Sequence, residues 1–519
     1  MASHTDLLHI FLRDWKVHIR PVLLIGVISV ACIWLVRQLA SPLNKYPGPP
    51  LAAWTNWYRF YLVLTGRYHL KIKEFHEKYG PVVRIGPNTL DLDYPELTKT
   101  IYSIDDSWLK TDFYHGNSIK VNGKIVYTMF SIPSNEENQI MKRPIAKHYS
   151  PGAVLALEPL LDGVMGQLCD ELDQRFVKTP TGSKPCDLGS WIAYCIWDLI
   201  GAASFSKDFG FMAHGADFDG TIGIADKALD YFAAIGQMPF LDFILDKNPI
   251  YRLGPPSLGN IQRVALERVA ARVQGKDRDY NPAVPDYLHH FLAARKENPE
   301  LVDDGMLLGY LFINLVAGAD TTALSIRAVI YFLLKNPKAY ERVKKEIRGA
   351  KLGRVAKYHE AKALPYLEAV IRETMRLHPG VSMLLERYVP EGGLKLPDGS
   401  LVPPQTSVGL NAYVTHRNKD IYGPDADEYK PERWLRAAGE SEEAYQQRLK
   451  VYLKYDFTFG AGPRICLGRH VAVIKTYKLV ATLISNYDIE LDHPDREWQI
   501  HCGWFLRQYG IICNLKKVR

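Results

Sequence analysis

One stretch of the chain combines a cysteine with the glycines and the arginine that suit a metal-bound thiolate. From Phe459 to Gly468 it reads F-G-A-G-P-R-I-C-L-G, with Cys466 as the thiol and Arg464 two residues before it. Glycines let backbone N–H groups approach the sulfur and keep it anionic, which suits a soft metal ion with an open coordination position. Haem iron is the leading candidate, since the planar fork of Arg464 suits an anionic porphyrin edge. The alternative is a Gly-Pro turn with one buried structural cysteine.

A second group of polar residues lies inside a long apolar segment. Asp303-Asp304 is a typical helix start and Asn336-Pro337 a typical stop, so a helix is predicted from about 304 to 335. Its first half is apolar on every face, which predicts that it crosses the middle of the domain. There Ala317–Thr322 reads A-G-A-D-T-T, and a buried acid is costly unless it handles protons. The alternative is a kinked core helix in which Asp320 is satisfied by its neighbours.

Two further motifs are candidates for positioning these groups. Glu373 and Arg376 are three residues apart on a helix predicted from 365 to 378, so they share one face and can pair. Arg433 follows in the P-E-R-W motif of Pro431–Trp434, within a segment rich in Gly, Pro and Asp. Pairs with this spacing are common on protein surfaces, so an ordinary salt bridge is the alternative.

The composition describes a globular chain. Its 519 residues are 47% hydrophobic and 23% charged, enough for one large domain or for two to three ordinary ones. The balance of 64 basic against 57 acidic residues gives a net charge of +7, which is mild and does not indicate nucleic-acid binding. The seven cysteines are scattered and form no C-x-x-C pair, which favours a reducing compartment.

The amino-terminal region predicts a membrane anchor. Residues 1–44 contain an apolar run from Pro21 to Val36 that residues 38–40 extend, so a single span at about 21–40 is predicted. A cleaved signal peptide is the alternative, but the run begins late and ends on bulky side chains. Basic residues flank it on both sides, so charge does not decide its orientation. The prolines of Lys45–Pro50 predict a rigid elbow before a catalytic domain at 45–519.

Local patterns predict the remaining elements. The runs 82–87 and 89–92 predict a β-hairpin, and helical patterns dominate from 136 to 378. Short strands are expected at 381–390 and 407–413.

Taken together, the four motifs resemble the cytochrome P-450 family in order and spacing, from about residue 45 to the end of the chain. The anchor and proline elbow are similar to the microsomal form of that family, and details resemble the pisatin-demethylase-like enzymes of filamentous fungi. The resemblance implies a mainly α (α+β) fold, a helical prism with a small β-rich lobe.

The resemblance also implies roles for individual residues. The axial ligand of the iron of haem b would be Cys466, in a loop that Phe459 and Gly468 complete, with proton delivery by Thr321 and Asp320. The residues implied for the haem propionates are Arg464 and Arg387, and those implied for a structural triad are Glu373, Arg376 and Arg433. One helix departs from the family pattern: Asn138 and Lys142 stand where a Trp or His and an Arg are usual, and Arg143 is a possible substitute.

The implied activity is the hydroxylation or O-demethylation of a lipophilic small molecule in fungal secondary metabolism or phytoalexin detoxification. It would use O₂ and electrons from NADPH through a separate reductase, with cytochrome b5 as a further donor to test. The enzyme would be a single-pass protein of the endoplasmic reticulum membrane with a cytosolic catalytic domain. A haem-thiolate isomerase or dehydratase, and a membrane-tethered haem sensor, are the alternatives.

Two surfaces follow from this interpretation. The apolar substrate pocket is predicted from Phe113, Phe312, Val316, Ala317, Val381, Met383, Leu384 and Phe505. The basic docking face for the reductase is predicted from Lys142, Arg143, Lys147, Arg469, Lys475 and Lys478.

Overall fold

Three helices form the centre of the protein. The computed structural model describes residues 4–121, 124–178 and 183–518, with 4–20 and 121 as backbone only. Asp304–Lys335, here the central helix, packs against Leu188–Phe205 and Arg469–Asn486. Asp303 caps it, because its carboxylate accepts the Met306 N–H at 2.7 Å. The predicted bounds of this helix are confirmed.

Helices account for most of the chain. Those of ten or more residues are His4–Leu39, Tyr68–Tyr79, Asn135–Ala146, Glu158–Leu172, Leu188–Phe205, Thr221–Ile235, Gly259–Val273, Tyr287–Glu297, Asp304–Lys335, Pro337–Gly349, Pro365–Leu377, Glu442–Lys454 and Arg469–Asn486. Shorter α-helices are Pro50–Trp54, Trp57–Leu64, Thr98–Ile101, Pro151–Leu155, Phe211–His214, Phe240–Leu245, Tyr358–Lys362, Ala412–Thr415 and Lys419–Tyr422.

A four-stranded sheet forms the core of a separate β-rich lobe. Its strand order is Val82–Gly86, Thr89–Leu92, Ser407–Leu410 and Arg387–Tyr388. The first two strands form the predicted hairpin, with Val82 opposite Leu92. The third strand runs parallel to the second and antiparallel to the fourth. The predicted mainly α fold with a small β-rich lobe is therefore confirmed.

The smaller sheets close the carboxyl-terminal region and two loops. They pair Tyr487–Leu491 with Ile512–Lys517 and Cys186–Asp187, Gln499–Cys502 with Leu506–Tyr509, Ile119–Val121 with Lys124–Val126, and Leu394–Lys395 with Leu401–Val402. The predicted strand at 381–390 is shorter in the structure, where Arg387 and Tyr388 pair.

The end of the anchor helix is tied to the β-rich lobe. Asn44 donates to the carbonyls of Gln38 and Leu39 at 2.9 and 3.0 Å, which satisfies carbonyls at the end of helix His4–Leu39. Arg84, on the first strand of the lobe, donates to Asn44 Oδ1 at 2.6 Å. The anchor helix and the domain therefore meet through fixed polar contacts at the elbow.

Two lysines of the predicted docking face lie inside the protein, so that part of the prediction is wrong. Lys475 and Lys478 are both 0% exposed, because helix Arg469–Asn486 is buried on nearly every face. Lys478 donates to Glu158 and Asp162 at 2.6 and 2.7 Å. Lys475 Nζ has no hydrogen-bond partner among the described residues, and burial lowers its pKa from 10.5 to about 7.

Replacing Lys475 by methionine should therefore stabilise the protein. Between pH 10.5 and about 7 the unfolded chain binds a proton at this lysine that the folded chain does not, so its destabilising effect grows as the pH falls. Lys475→Met should raise the thermal midpoint at pH 7, by the equivalent of roughly 1–3 kcal/mol, and by less at pH 9.

The matched control is Lys478→Met, three residues further along the same helix. It should lower the midpoint, because Glu158 and Asp162 lose their buried partner. A Lys475→Met protein that melts below the parent at pH 7 would show that this amine has a stabilising partner.

Candidate functional site

The cysteine loop, Phe459–Gly468, has a backbone that only glycine permits at its turn. Gly462 has φ +64°, and a Cβ there would lie 1.8 Å from the Tyr102 carbonyl oxygen. The Cys466 N–H donates to the Phe459 carbonyl at 2.9 Å and closes the loop. Gly468 then caps helix Arg469–Asn486. The loop therefore packs directly against the backbone at Tyr102.

The thiol of Cys466 is accessible but lies deep in a recess. Burial raises its pKa, while the N–H of Gly468 and the charge of Arg469 act in the opposite direction. Burial raises the pKa of Tyr149, and the nearby Cys466 thiol raises it further. Tyr149 donates to Asn314 on the central helix at 2.9 Å, which brings the cysteine loop and that helix to the same region.

Two basic side chains hold the loop in place. Arg464 donates to Asn135 Oδ1 at 2.8 Å and to the carbonyls of Ile132 and Pro133 at 2.9 and 3.0 Å. Its Nη1 is buried and has no hydrogen-bond partner among the described residues. Lys142 donates to the Pro463 carbonyl at 2.7 Å. Lys142 thus binds the loop backbone, whereas Arg464 keeps one N–H group for another acceptor.

Helix Asn135–Ala146, which departs from the family pattern, carries two further residues, Asn138 and Arg143. Their described contacts do not reach the cysteine loop. Asn138 donates to the Met129 carbonyl at 2.6 Å, and Arg143 is exposed. Of the four docking-face residues that stay outside the core, Lys147 pairs with Glu297 at 3.3 Å.

The structure places Glu373, Arg376 and Arg433 in one buried network. The two guanidinium nitrogens Nε and Nη2 of Arg376 bind the Glu373 carboxylate at 2.9 and 2.8 Å, and Arg433 Nε lies 3.4 Å from it. Trp434 Nε1 donates to the same carboxylate at 2.9 Å, a contact that sequence reasoning missed. Arg376 also binds the carbonyls of His416 and Ala426 at 2.7 and 2.6 Å, so the network fixes the meander before the cysteine loop.

His416 joins that network to the segment that leads into the cysteine loop. The Phe457 N–H donates to His416 Nε2 at 2.8 Å, so Nδ1 carries the proton and donates to the Arg376 carbonyl at 3.1 Å. The ring is fully buried, and burial lowers its pKa to about 4. A neutral imidazole with this tautomer therefore holds Phe457, a role that the sequence did not indicate.

The central helix presents Ala317 and Thr321 on one accessible strip. Ala317 is exposed and Thr321 half-buried, in a helix that is otherwise largely buried at this level. Thr321 Oγ1 donates to the Ala317 carbonyl at 2.8 Å, and Thr322 donates to the Gly318 carbonyl at 3.3 Å. The hydroxyl of Thr321 therefore lies on the accessible strip of the helix, bound to the backbone of the preceding turn.

Asp320 lies on a different, buried face of the helix from that strip. Its Oδ1 accepts the Trp197 N–H at 3.0 Å, and its Oδ2 is buried with no hydrogen-bond partner among the described residues. Burial, with a contribution from Asp226, raises its pKa to about 7. Asp320 and Thr321 do not contact each other by a hydrogen bond in the described part of the chain, so a proton transfer between them would need an intervening group.

The predicted pocket residues fall into two packing groups. Met383, Leu384, Phe113 and Phe505 are buried in one cluster, which the partly buried Val381 joins by a β-bridge to Phe505. On the other side, Phe312 and Val316 pack against the helical core just before Ala317.

An aromatic cluster that the sequence did not reveal closes the first group. It consists of Phe113, Tyr114, Phe130, Phe232 and Trp504. Trp504 lies 5.6, 5.8 and 5.1 Å from Phe113, Phe130 and Phe232, by ring centroids. Rings at these distances attract one another by offset and edge-to-face contacts. The cluster is therefore a rigid apolar wall.

Around Arg387 the structure gathers positive charge without acidic partners. Arg387 is buried, its Nη1 donates to the Glu386 carbonyl at 2.8 Å, and its guanidinium lies 5.2 Å from the Tyr102 ring. The adjacent Glu386 carboxylate is taken by Arg59, Thr111 and Ser407. An accessible thiol, a free arginine donor and an apolar wall together fit a haem with a thiolate ligand and anionic propionates.

Comparison with known proteins identifies this class directly. The chain belongs to the cytochrome P450 family, whose model matches residues 47–514. It is therefore a haem-dependent monooxygenase, and the family predicted from the four motifs is confirmed.

Several curated fungal proteins are similar over nearly the whole chain. Cytochrome P450 monooxygenase cfoH of Aspergillus candidus is 41% identical over 501 residues, which cover 96% of this chain and 93% of that protein. Cytochrome P450 monooxygenase cicH of Emericella nidulans is 33% identical, over 91% of this chain and 94% of its own. Cytochrome P450 monooxygenase mpaDE' of Penicillium brevicompactum is 33% identical, over 95% of this chain and 58% of its own.

Loss of the His416 acceptor should loosen the cysteine loop. In His416→Leu the buried Phe457 N–H has no acceptor, which costs about 1–3 kcal/mol. We expect a lower thermal midpoint of the holoprotein and faster loss of its thiolate-type spectrum on storage. His416→Gln, whose amide oxygen is able to accept the same N–H, should lie near the parent.

The same pair of variants tests the pH dependence. The folded pKa of His416 is about 4 and its ordinary value is 6.5, so stability falls as the pH drops through that window. His416→Gln should lose less stability between pH 6.5 and 4 than the parent. Equal midpoints for all three proteins would contradict the role of the imidazole.

Proposed function

We propose that this protein hydroxylates or O-demethylates a lipophilic, ring-containing small molecule, in fungal secondary metabolism or in phytoalexin detoxification. O₂ is the oxidant, and NADPH supplies the electrons through a separate reductase. The observation that carries the proposal is the accessible Ala317–Thr321 strip of an otherwise largely buried central helix, which the Tyr149–Asn314 hydrogen bond links to the region of Cys466. The names of the fungal relatives, all cytochrome P450 monooxygenases, agree with it.

Three residues would bind the haem: Cys466, Arg464 and Arg387. When bound, a haem with a cysteine thiolate ligand supplies the activation of O₂ and the transfer of one oxygen atom to a C–H bond. Cys466 would hold the iron through its sulfur, and the Gly468 N–H would stabilise the negative charge on that sulfur. Arg464 and Arg387 bind the propionates as charge-assisted donors.

Proton delivery rests on Thr321 and Asp320. The Thr321 hydroxyl donates to the Ala317 carbonyl and lies on the accessible strip, so it is able to exchange a proton with a group bound there. Asp320 has a pKa of about 7, so both of its protonation states are populated near neutral pH. Asp320 thus serves as the reservoir and Thr321 as the terminal donor, with water between them.

The apolar walls decide what kind of molecule binds. Buried Met383, Leu384 and Phe505, together with the aromatic cluster, offer a dry surface with ring faces and edges. Such a surface excludes water from the reacting centre and favours flat or ring-containing substrates over charged ones.

Turnover should require NADPH, O₂ and the reductase. Reconstituted protein is expected to transfer one atom of ¹⁸O₂ to a lipophilic aromatic product, or to release formaldehyde from a methoxy substrate. Product formed without NADPH and O₂ would support a haem-thiolate isomerase or dehydratase instead.

In the same assay Thr321→Ala should reduce the product formed per NADPH consumed, because the terminal proton donor is lost. A reduction of about tenfold or more is expected, since a positioned proton donor contributes roughly 10²-fold or more to rate. Thr322→Ala is the matched control, because Thr322 is buried and donates to Gly318 on the other side of the helix. An unchanged ratio in Thr321→Ala would remove the proton-delivery role.

We also propose that residues 1–44 form a tail with a single membrane span, and that residues 45–519 form the catalytic domain on the cytosolic side of the endoplasmic reticulum. Helix His4–Leu39 contains an apolar span at Pro21–Leu39 whose side chains are exposed. Two other helices, Leu188–Phe205 and the central helix, are long and apolar enough, but they are mostly buried in the core. The exposed side chains of Trp57 and Tyr61 follow the elbow and extend the apolar surface.

Membrane extraction tests this arrangement. Alkaline carbonate should leave the full chain in the microsomal pellet and should release a chain that begins at Lys45. Release of the full chain would contradict a spanning segment. Glycosylation of an acceptor site added to the carboxyl terminus would contradict the cytosolic orientation.

A further inference from the structure

We propose that Lys110 and Tyr114 bind a haem propionate together with Arg387 and Arg464, in place of the basic side chain that the helix Asn135–Ala146 does not direct to the cofactor. This inference rests on haem as the cofactor and is independent of the substrate or the reaction. Neither residue belongs to any of the four sequence motifs.

Lys110 and Arg387 face each other across two strand segments. They are directly opposite partners in an antiparallel bridge, and the Tyr388 N–H donates to the Leu109 carbonyl at 2.9 Å beside them. Directly opposite residues project from the same face of a sheet, with Cβ atoms about 5 Å apart. Like charges in that position repel each other, so an anion between them would stabilise the arrangement.

Arg464 reaches the same place from the cysteine loop. The Pro133 carbonyl accepts from the Lys110 N–H at 3.3 Å and from Arg464 Nη2 at 3.0 Å. Lys110 Nζ donates to the Phe130 carbonyl at 2.5 Å, in the same segment. Repulsion by Arg387 and Arg464 adds to burial in lowering the pKa of Lys110 well below its ordinary value. Three basic residues thus lie close together, and we name them the cation cluster: Lys110, Arg387 and Arg464.

The cation cluster has no carboxylate partner within the described part of the chain, where no ion pair involves any of its members. Glu386, the nearest acid in sequence, binds Arg59 at 2.5 Å and two hydroxyls. Buried charges are normally paired, because an isolated charge loses its hydration without compensation. An anionic ligand would therefore stabilise the charged form of this site.

Tyr114 supplies an independent sign of a ligand. It is 1% exposed, and its hydroxyl lies beside the Arg387 guanidinium, which only donates, so the hydroxyl proton has no acceptor in the described residues. Its ring lies 4.0 Å from Lys110 Nζ, and its phenol has a pKa that burial raises to about 12 while Arg387 and Arg464 lower it. A neutral hydroxyl donor beside three cations fits a carboxylate.

The helix that would otherwise supply this charge is committed elsewhere. Lys142 donates to the Pro463 carbonyl and Asn138 to the Met129 carbonyl. Lys110, which binds the Phe130 and Pro133 carbonyls, supplies the missing positive charge.

Haem retention tests the proposal without any turnover. Ferric holoprotein is mixed with excess apomyoglobin, and the rate of haem transfer is measured for Lys110→Met, Tyr114→Phe and Lys110→Arg. We expect about tenfold faster haem loss from Lys110→Met, because removing one charge-assisted donor weakens binding by about that factor. Tyr114→Phe should accelerate the loss less, and Lys110→Arg should lose haem at nearly the parent rate. The control is Lys120→Met, whose lysine donates to the Lys247 carbonyl away from the cation cluster.

The reduction potential gives a second readout that a purely structural role would not move. Loss of a positive charge near the propionate favours the ferric state, so the potential should fall in Lys110→Met and stay at the parent value in Lys110→Arg and Lys120→Met. Parent rates of haem loss in both Lys110→Met and Tyr114→Phe, with an unchanged potential, would overturn the proposal. A parent protein that binds no haem at all would instead overturn the assignment of the cofactor.

Discussion

The position of one sulfur atom is the constraint on which the rest of this structure depends. A thiolate ligand works only if it is held at a fixed place and kept away from bulk water, and a loop alone cannot do this. Here four contacts fix the loop and the residues just before it. Gly462 packs against the Tyr102 backbone, Arg464 binds the segment 132–135, Lys142 binds the Pro463 carbonyl, and His416 holds Phe457. The large helical core supplies the rigid support behind these contacts.

The buried charged residues near the loop form two groups that differ in whether their charges have partners. In the network of Glu373, Arg376 and Arg433 every charge has a partner, and the spare donors bind backbone carbonyls. Such a network is structural, because it is complete without any ligand. In the cation cluster, by contrast, the basic side chains have no carboxylate partner among the described residues. The contrast between a satisfied and an unsatisfied ionic site separates the residues that hold the protein together from those proposed to hold its cofactor.

Much of the architecture was predictable because it follows local rules. Asp303 and Asn336-Pro337 mark the ends of the central helix, two runs with β-branched residues mark the hairpin at 82–92, and the fixed spacing of the motifs identifies the family. The cysteine loop and the Glu373–Arg376 pair were found for the same reason, since each is short in sequence. The strand predicted at 407–413 ends at Leu410, because Asn411 caps the short helix Ala412–Thr415.

Features that depend on distant contacts could not be predicted in this way. Lys475 and Lys478 look like surface lysines until the burial of their helix on all sides is known. Lys110, His416 and Trp504 belong to no motif, and each acquires its role from a partner brought close by folding. Asp320 and Thr321 are adjacent in sequence, yet they lie on different faces of the central helix and contact different groups.

The most direct test of the central claim is the absorption spectrum of the reduced, carbon-monoxide-bound protein. If Cys466 is the iron ligand, the purified protein shows a Soret band shifted to the position that a thiolate ligand produces, and Cys466→Ser loses that band. Cys502→Ser, a change at a buried cysteine elsewhere in the fold, should keep it. A Cys466→Ser protein with the thiolate-type band intact would contradict the account.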